Sequence, residues 1–148
     1  MRSFAKQLSG LAVAALSSFA AAQSNVGELL DAGGKRMSAE DFRAELEQRV
    51  LIGLTATGGA IEIIYLTTGT IEGRGRADTP FNAFPYMEAV IGGQWSIDQT
   101  GSFCTTMRTA GMTLPNRCQV WFKLGDAYFV SDSDSDRHAK VLKRTVKP

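Results

Sequence analysis

Arg117-Cys118-Gln119-Val120-Trp121-Phe122-Lys123-Leu124-Gly125-Asp126-Ala127-Tyr128-Phe129-Val130 is the stretch on which the fold turns. A run of alternating character reaches a Gly-Asp turn, and a second apolar run follows, which is the pattern of a β-hairpin. Alternation sets Cys118, Val120, Phe122 and Leu124 on one face and Gln119, Trp121 and Lys123 on the other. With the first set taken as the core face, Trp121 points away from the core.

Working upstream, the run Ser102 to Arg108 is the natural partner of Arg117 to Leu124. A hairpin centred on Gly111 places Cys104 opposite Cys118, because each is seven residues from the centre. An even cysteine count in an oxidising compartment implies one disulfide, Cys104 to Cys118. A zinc site needs two further ligands where the chain has a single histidine, and a redox pair is usually spaced C-x-x-C. Closing a loop of this size contributes roughly 3 kcal/mol in the chain-entropy account.

The same punctuation extends in both directions. Apolar or β-branched runs occur at Val50 to Ala56, Ala60 to Leu66, Thr70 to Arg76, Ala89 to Asp98 and Ala139 to Val146, separated by Gly58-Gly59, Thr68-Gly69, Gln99-Thr100-Gly101 and Ser131 to Asp136. With the three runs already named, eight short strands result. The expected fold class is mainly β, an eight-stranded antiparallel meander or small calycin-like barrel, whose edges are hidden by curling or by a covering helix. Around the central tryptophan, Gly93, Trp95 and Ile97 share a face.

One helix precedes the strands. Ser38 is an N-cap with Asp41 at N3, Met37 and Phe42 take the positions of a hydrophobic staple, and Phe42, Leu46 and Val50 form an apolar stripe. The reading is an amphipathic helix from about Ala39 to Arg49, too short to stand alone. Residues 38–148 therefore form one helix-plus-barrel domain, and polar, glycine-containing residues 23–37 read as a flexible lead-in.

Residues 1–22 have the layout of a signal peptide: Arg2 and Lys6, then an apolar run from Leu8 to Ala20, then small residues ending at Ala22. The run is short for a permanent anchor, and no later stretch is long enough to span a bilayer, so the expected location is periplasmic or secreted with no transmembrane segment in the mature protein. With Arg2 and Lys6 removed from the 16 basic residues, 14 remain against 15 acidic ones. That balance argues against a nucleic-acid partner, which needs a clustered basic face. The one basic cluster, Lys140, Lys143, Arg144 and Lys147, reads as a solvated, self-repelling sheet edge.

Candidate chemistry is sparse. Asp132-Ser133-Asp134-Ser135-Asp136 imitates the opening of a calcium loop, but Arg137 and Lys143 stand where such a loop needs Gly and Glu, so it reads as a hairpin tip and no metal or cofactor is expected. His138 follows that tip, and no G-x-S-x-G elbow is present. The segment Asp78 to Met87 places Phe81, Phe84 and Tyr86 between Pro80 and Pro85, as a lid over a barrel end or as a contact surface. Arg74 and Arg76 flank it, and Trp121 joins the candidate contact set.

From about Met37 onward, the order of the capped helix, Gly92-Gly93-Gln94-Trp95-Ser96-Ile97-Asp98, Phe103-Cys104 and Arg117 to Asp126 resembles a family of small secreted Gram-negative proteins known as a domain of unknown function. The likeness implies a structural framework and no activity. Gly93-Gln94-Trp95-Ser96-Ile97 is also similar to the opening strand of periplasmic metalloprotease-inhibitor barrels, although here it comes fourth. The expected function is a non-enzymatic periplasmic or secreted binding protein, whose partner is an envelope protein or small apolar ligand. Inhibition of a secreted hydrolase or protease and carboxylate-dependent hydrolysis are the alternatives.

Overall fold

The computed structural model describes residues 22–76, 88–109 and 111–148. The elements are α1 (Val26–Asp31), β1 (Lys35–Arg36), α2 (Ala39–Glu45), β2 (Val50–Leu54), β3 (Ala60–Tyr65), β4 (Thr70–Arg76), β5 (Glu88–Ile97), β6 (Phe103–Thr109), β7 (Met112–Thr113), β8 (Arg117–Leu124), β9 (Ala127–Ser131) and β10 (Val141–Val146). Strands β2, β3, β4, β5, β6, β8, β9 and β10 pair antiparallel in that order, and β10 pairs back with β2. The result is a closed eight-stranded up-and-down barrel, which leaves no long free edge. Two-residue β7 continues the tip of the β6 hairpin, and β1 pairs with the second half of β8.

Inside, Leu51, Ile63, Tyr65, Ile71, Ile91, Trp95, Phe103, Trp121, Tyr128 and Val130 form the core, with Met37, Phe42 and Leu46 pressed into it from the α2 segment. α2 forms where expected. Ser38 accepts from the Asp41 amide while Asp41 accepts from the Ser38 amide, the reciprocal capping box. Phe42 is 2% exposed and sits among the rings of Tyr65, Trp95, Phe103 and Trp121, so the helix closes one end of the barrel. It stops at Glu45 rather than Arg49: Leu46 caps it, and Gln48 turns to a positive φ of 64° as its amide donates to the Tyr65 carbonyl.

Three expectations are corrected. Residues 23–37 are no loose lead-in, because α1, capped by the Asn25 side chain, buries Val26 and Leu29 against Val120, Phe122, Phe129 and Val141 on the barrel's outer wall. Trp121 points into the barrel, not away from its core, and is 4% exposed. The alternation in β8 was sound; which face is the interior was not, because α1 covers the Val120 and Phe122 side and both faces are apolar. Finally, the basic C-terminal run is no sheet edge. β10 is the strand that closes the barrel, and Arg144 faces its interior, 7% exposed.

The hairpin between β6 and β8 pairs Cys104 with Cys118, and the disulfide joins them. Its tip is offset by one residue: Thr109 faces Met112 and Arg108 faces Thr113, so Pro115 and Asn116 stand against Thr106 alone. Pro115 has no amide hydrogen for the ladder, and a bulge absorbs the extra residue.

Candidate functional site

A groove of about 530 Å³ lies on the outer face of β2, β3 and β4, lined by Ile52, Leu54, Glu62, Arg74, Arg76 and Thr145. A second depression of about 230 Å³ shares Glu62 and Arg74 and adds Val50, Ile64 and Glu72. These side chains are neighbours because register puts Ile52 beside Glu62 and Glu62 beside Arg74. Leu54 is 59% exposed, and on the adjoining β5 Val90, opposite Arg74, is 78% exposed.

Glu62 is the polar centre of this face. It accepts from Lys147 Nζ at 2.9 Å and from Arg74 Nη2 at 3.3 Å. The Lys147 hydrogen bond, followed by Arg74, holds its carboxyl below the usual carboxylate range. The groove therefore combines an apolar floor with charged, paired side chains at its rim, an arrangement suited to holding a segment by shape.

Of the residues singled out in the sequence, Arg74 and Arg76 line this groove. Trp121 is withdrawn from the contact set by its burial. Phe81, Phe84 and Tyr86 lie outside the described residues. Asp132 accepts from Arg117 Nη2 at 2.6 Å and from Gln119, and Asp134 pairs with Arg36 at 2.8 Å, so these two carboxylates fasten β8 and β1 to the β9–β10 connection. His138 is exposed, and its amide donates to Asp136.

Sequence reasoning missed Ile52, Leu54 and Ile64 as outward side chains. Val50-Leu51-Ile52-Gly53-Leu54 is apolar throughout, so periodicity there is silent. The usable signal was Glu62, which marks the solvent face of β3 and carries Ile64 with it two residues on.

The barrel interior is polar in places. Arg144 Nη1 donates to the carbonyls of Leu54 at 2.8 Å and Lys143 at 2.9 Å, and desolvation lowers its pKa. Burial pushes the Tyr65 hydroxyl up to about 12. Trp95 Nε1 donates to the Leu66 carbonyl at 2.9 Å, whereas Trp121 Nε1 is buried with no hydrogen-bond partner among the described residues.

No family model, curated protein or solved structure matches this chain. No helix among the described residues is long and apolar enough to cross a membrane.

Proposed function

We propose that the protein works outside the cytosol as a non-enzymatic binding protein whose outer groove on β2, β3 and β4 receives an extended, apolar segment of a partner protein. The observation that carries this reading is the groove itself. Exposed Leu54 and half-buried Ile52 lie on a concave face that also carries Glu62 and its partners Arg74 and Lys147. Apolar side chains left on a concave surface mark contact sites more often than scattered ones do.

The described carboxylates do not recommend the alternative of carboxylate-dependent hydrolysis. Among the described residues, each Asp or Glu with a displaced titration is displaced downward by hydrogen bonds or cations: Glu28, Asp41, Glu45, Glu62, Asp98 and Asp132. A general acid for hydrolysis needs the opposite, a carboxyl raised toward neutral pH.

The test is site-directed photo-crosslinking in envelope extract, with the crosslinker placed at Leu54 or, as a control on another part of the surface, at Met112. One discrete adduct from position 54, absent from position 112 and lost when Ile52→Ser and Arg76→Glu are added, is the expected outcome. Equal adducts from both positions, or an adduct indifferent to the groove substitutions, would refute the assignment. The identity of the adduct separates a secreted hydrolase from other envelope proteins.

A further inference from the structure

We propose that Cys104 and Cys118 form, on reduction, two of three protein ligands of a zinc site whose third ligand is Asp98. The three residues share the outer face of the barrel. Ser96 pairs with Cys104 and Cys104 with Cys118, and Asp98, two residues beyond Ser96, falls on the same side. Both sulfurs and one Asp98 oxygen lie within 4.8 Å of one another. Zinc holds such atoms at about 2.0–2.3 Å, which places ligands about 3.3–3.8 Å apart, so the two sulfurs have to separate by side-chain rotation once the S–S bond is open.

Asp98 is built to present an oxygen. Its Oδ1 accepts from the Thr100 amide at 2.8 Å, the Thr100 hydroxyl at 2.7 Å and the Ser102 amide at 2.9 Å, which orients the carboxylate and leaves Oδ2 with no hydrogen bond among the described residues. Hydrogen bonds that orient a ligating carboxylate are the usual support of a metal site. The nearby Arg36 guanidinium donates to the Thr100 carbonyl and is itself paired with Asp134.

Access favours the chemistry. Cys118 and Asp98 are exposed and Cys104 is half-buried, whereas Phe103 on the opposite face of β6 stays in the core. A dithiol reductant delivers two electrons and two protons to the cystine and leaves as its own disulfide, giving two thiols here. Zinc then takes both sulfurs as thiolates, releasing two protons, and the Asp98 carboxylate ligates as it stands. Two thiolates, one carboxylate and a water complete four-coordination. The pair is thus a staple when oxidised and a metal site when reduced.

The experiment treats the purified protein with a phosphine reductant, then titrates it with Co²⁺ for its thiolate charge-transfer absorption and with Zn²⁺ against a chromophoric chelator. Reduced protein should take up one metal ion per chain and oxidised protein none at the same concentration. Asp98→Asn should weaken zinc at least about tenfold, while tryptophan emission keeps its native position. No uptake by reduced protein overturns the site. So does equal affinity in Asp98→Asn, which would signify a bare dithiol, and so does loss of native emission on reduction.

Discussion

Trp95 and Trp121 show how little of a side chain's energetic role is visible in its type. Both are buried in one aromatic cluster around Phe42, yet the indole N–H of Trp95 reaches the Leu66 carbonyl and that of Trp121 reaches no acceptor among the described residues. A buried donor without an acceptor forfeits its hydration, a cost of about 1–3 kcal/mol, whereas a satisfied one contributes about 1 kcal/mol net. Tryptophan-to-phenylalanine substitution deletes the same atoms at both positions. Trp95→Phe is therefore expected to destabilise by at least about 1 kcal/mol more than Trp121→Phe in urea unfolding. Equal losses would mean that the Trp121 N–H is satisfied by water.

At the scale of the element, α2 is a plug held by one aromatic side chain and one carboxylate. Glu45 Oε2 accepts from Lys123 Nζ at 2.6 Å and from the Tyr128 hydroxyl at 2.8 Å, which ties the helix to β8 and β9. Lys123 foremost, then Tyr128, lowers the Glu45 pKa from its ordinary value of 4.5. A lowered carboxylate contributes stability that is complete above the unfolded pKa and disappears as pH falls through the folded one. Lys123, raised chiefly by the same contact, contributes below its ordinary 10.5 and loses that contribution as pH rises through its folded value. The contact is thus strongest between about pH 4.5 and 10.5. Both groups are partly solvated, so the effect is modest. Glu45→Gln should reduce the fall in stability below pH 4.5, leaving the parts due to the other lowered carboxylates, Glu28, Asp41, Glu62, Asp98 and Asp132. An unchanged acid limb in chemical unfolding followed by tryptophan emission would dismiss the contact as a support of α2.

Across the whole molecule, closure depends on glycines where strands approach closely. At Gly53 an added Cβ would meet the backbone carbonyl of Lys143 on β10, the strand that completes the barrel, and at Gly73 and Gly93 it would meet the carbonyls of Glu62 and Thr106. Gly92, by contrast, faces open space. Gly53→Ala should cost about 1–3 kcal/mol by strain, whereas Gly92→Ala should be neutral within about 0.5 kcal/mol. Thermal unfolding of the two variants beside the parent measures both, and a neutral Gly53→Ala would show that β2 and β10 can part without cost.

Strand number, antiparallel hairpins and the capped helix were all determined by local chemistry: alternation, Gly-Asp and Gly-Gly turns and a Ser-x-x-Asp cap; the cysteine count named the Cys104–Cys118 pair, and the bulge at Pro115 and Asn116 brings it into register. The first three depend on residues close in sequence, so each is legible without coordinates. The inner face of β8, the docking of α1, the burial of Arg144 and the groove on β2, β3 and β4 were decided only by tertiary structure. Where both faces of a strand are apolar, as at Val120-Trp121-Phe122 and Val50 to Leu54, periodicity cannot rank them. What ranks them is which neighbour arrives from far along the chain: α1 over β8, and nothing over β2 among the described residues.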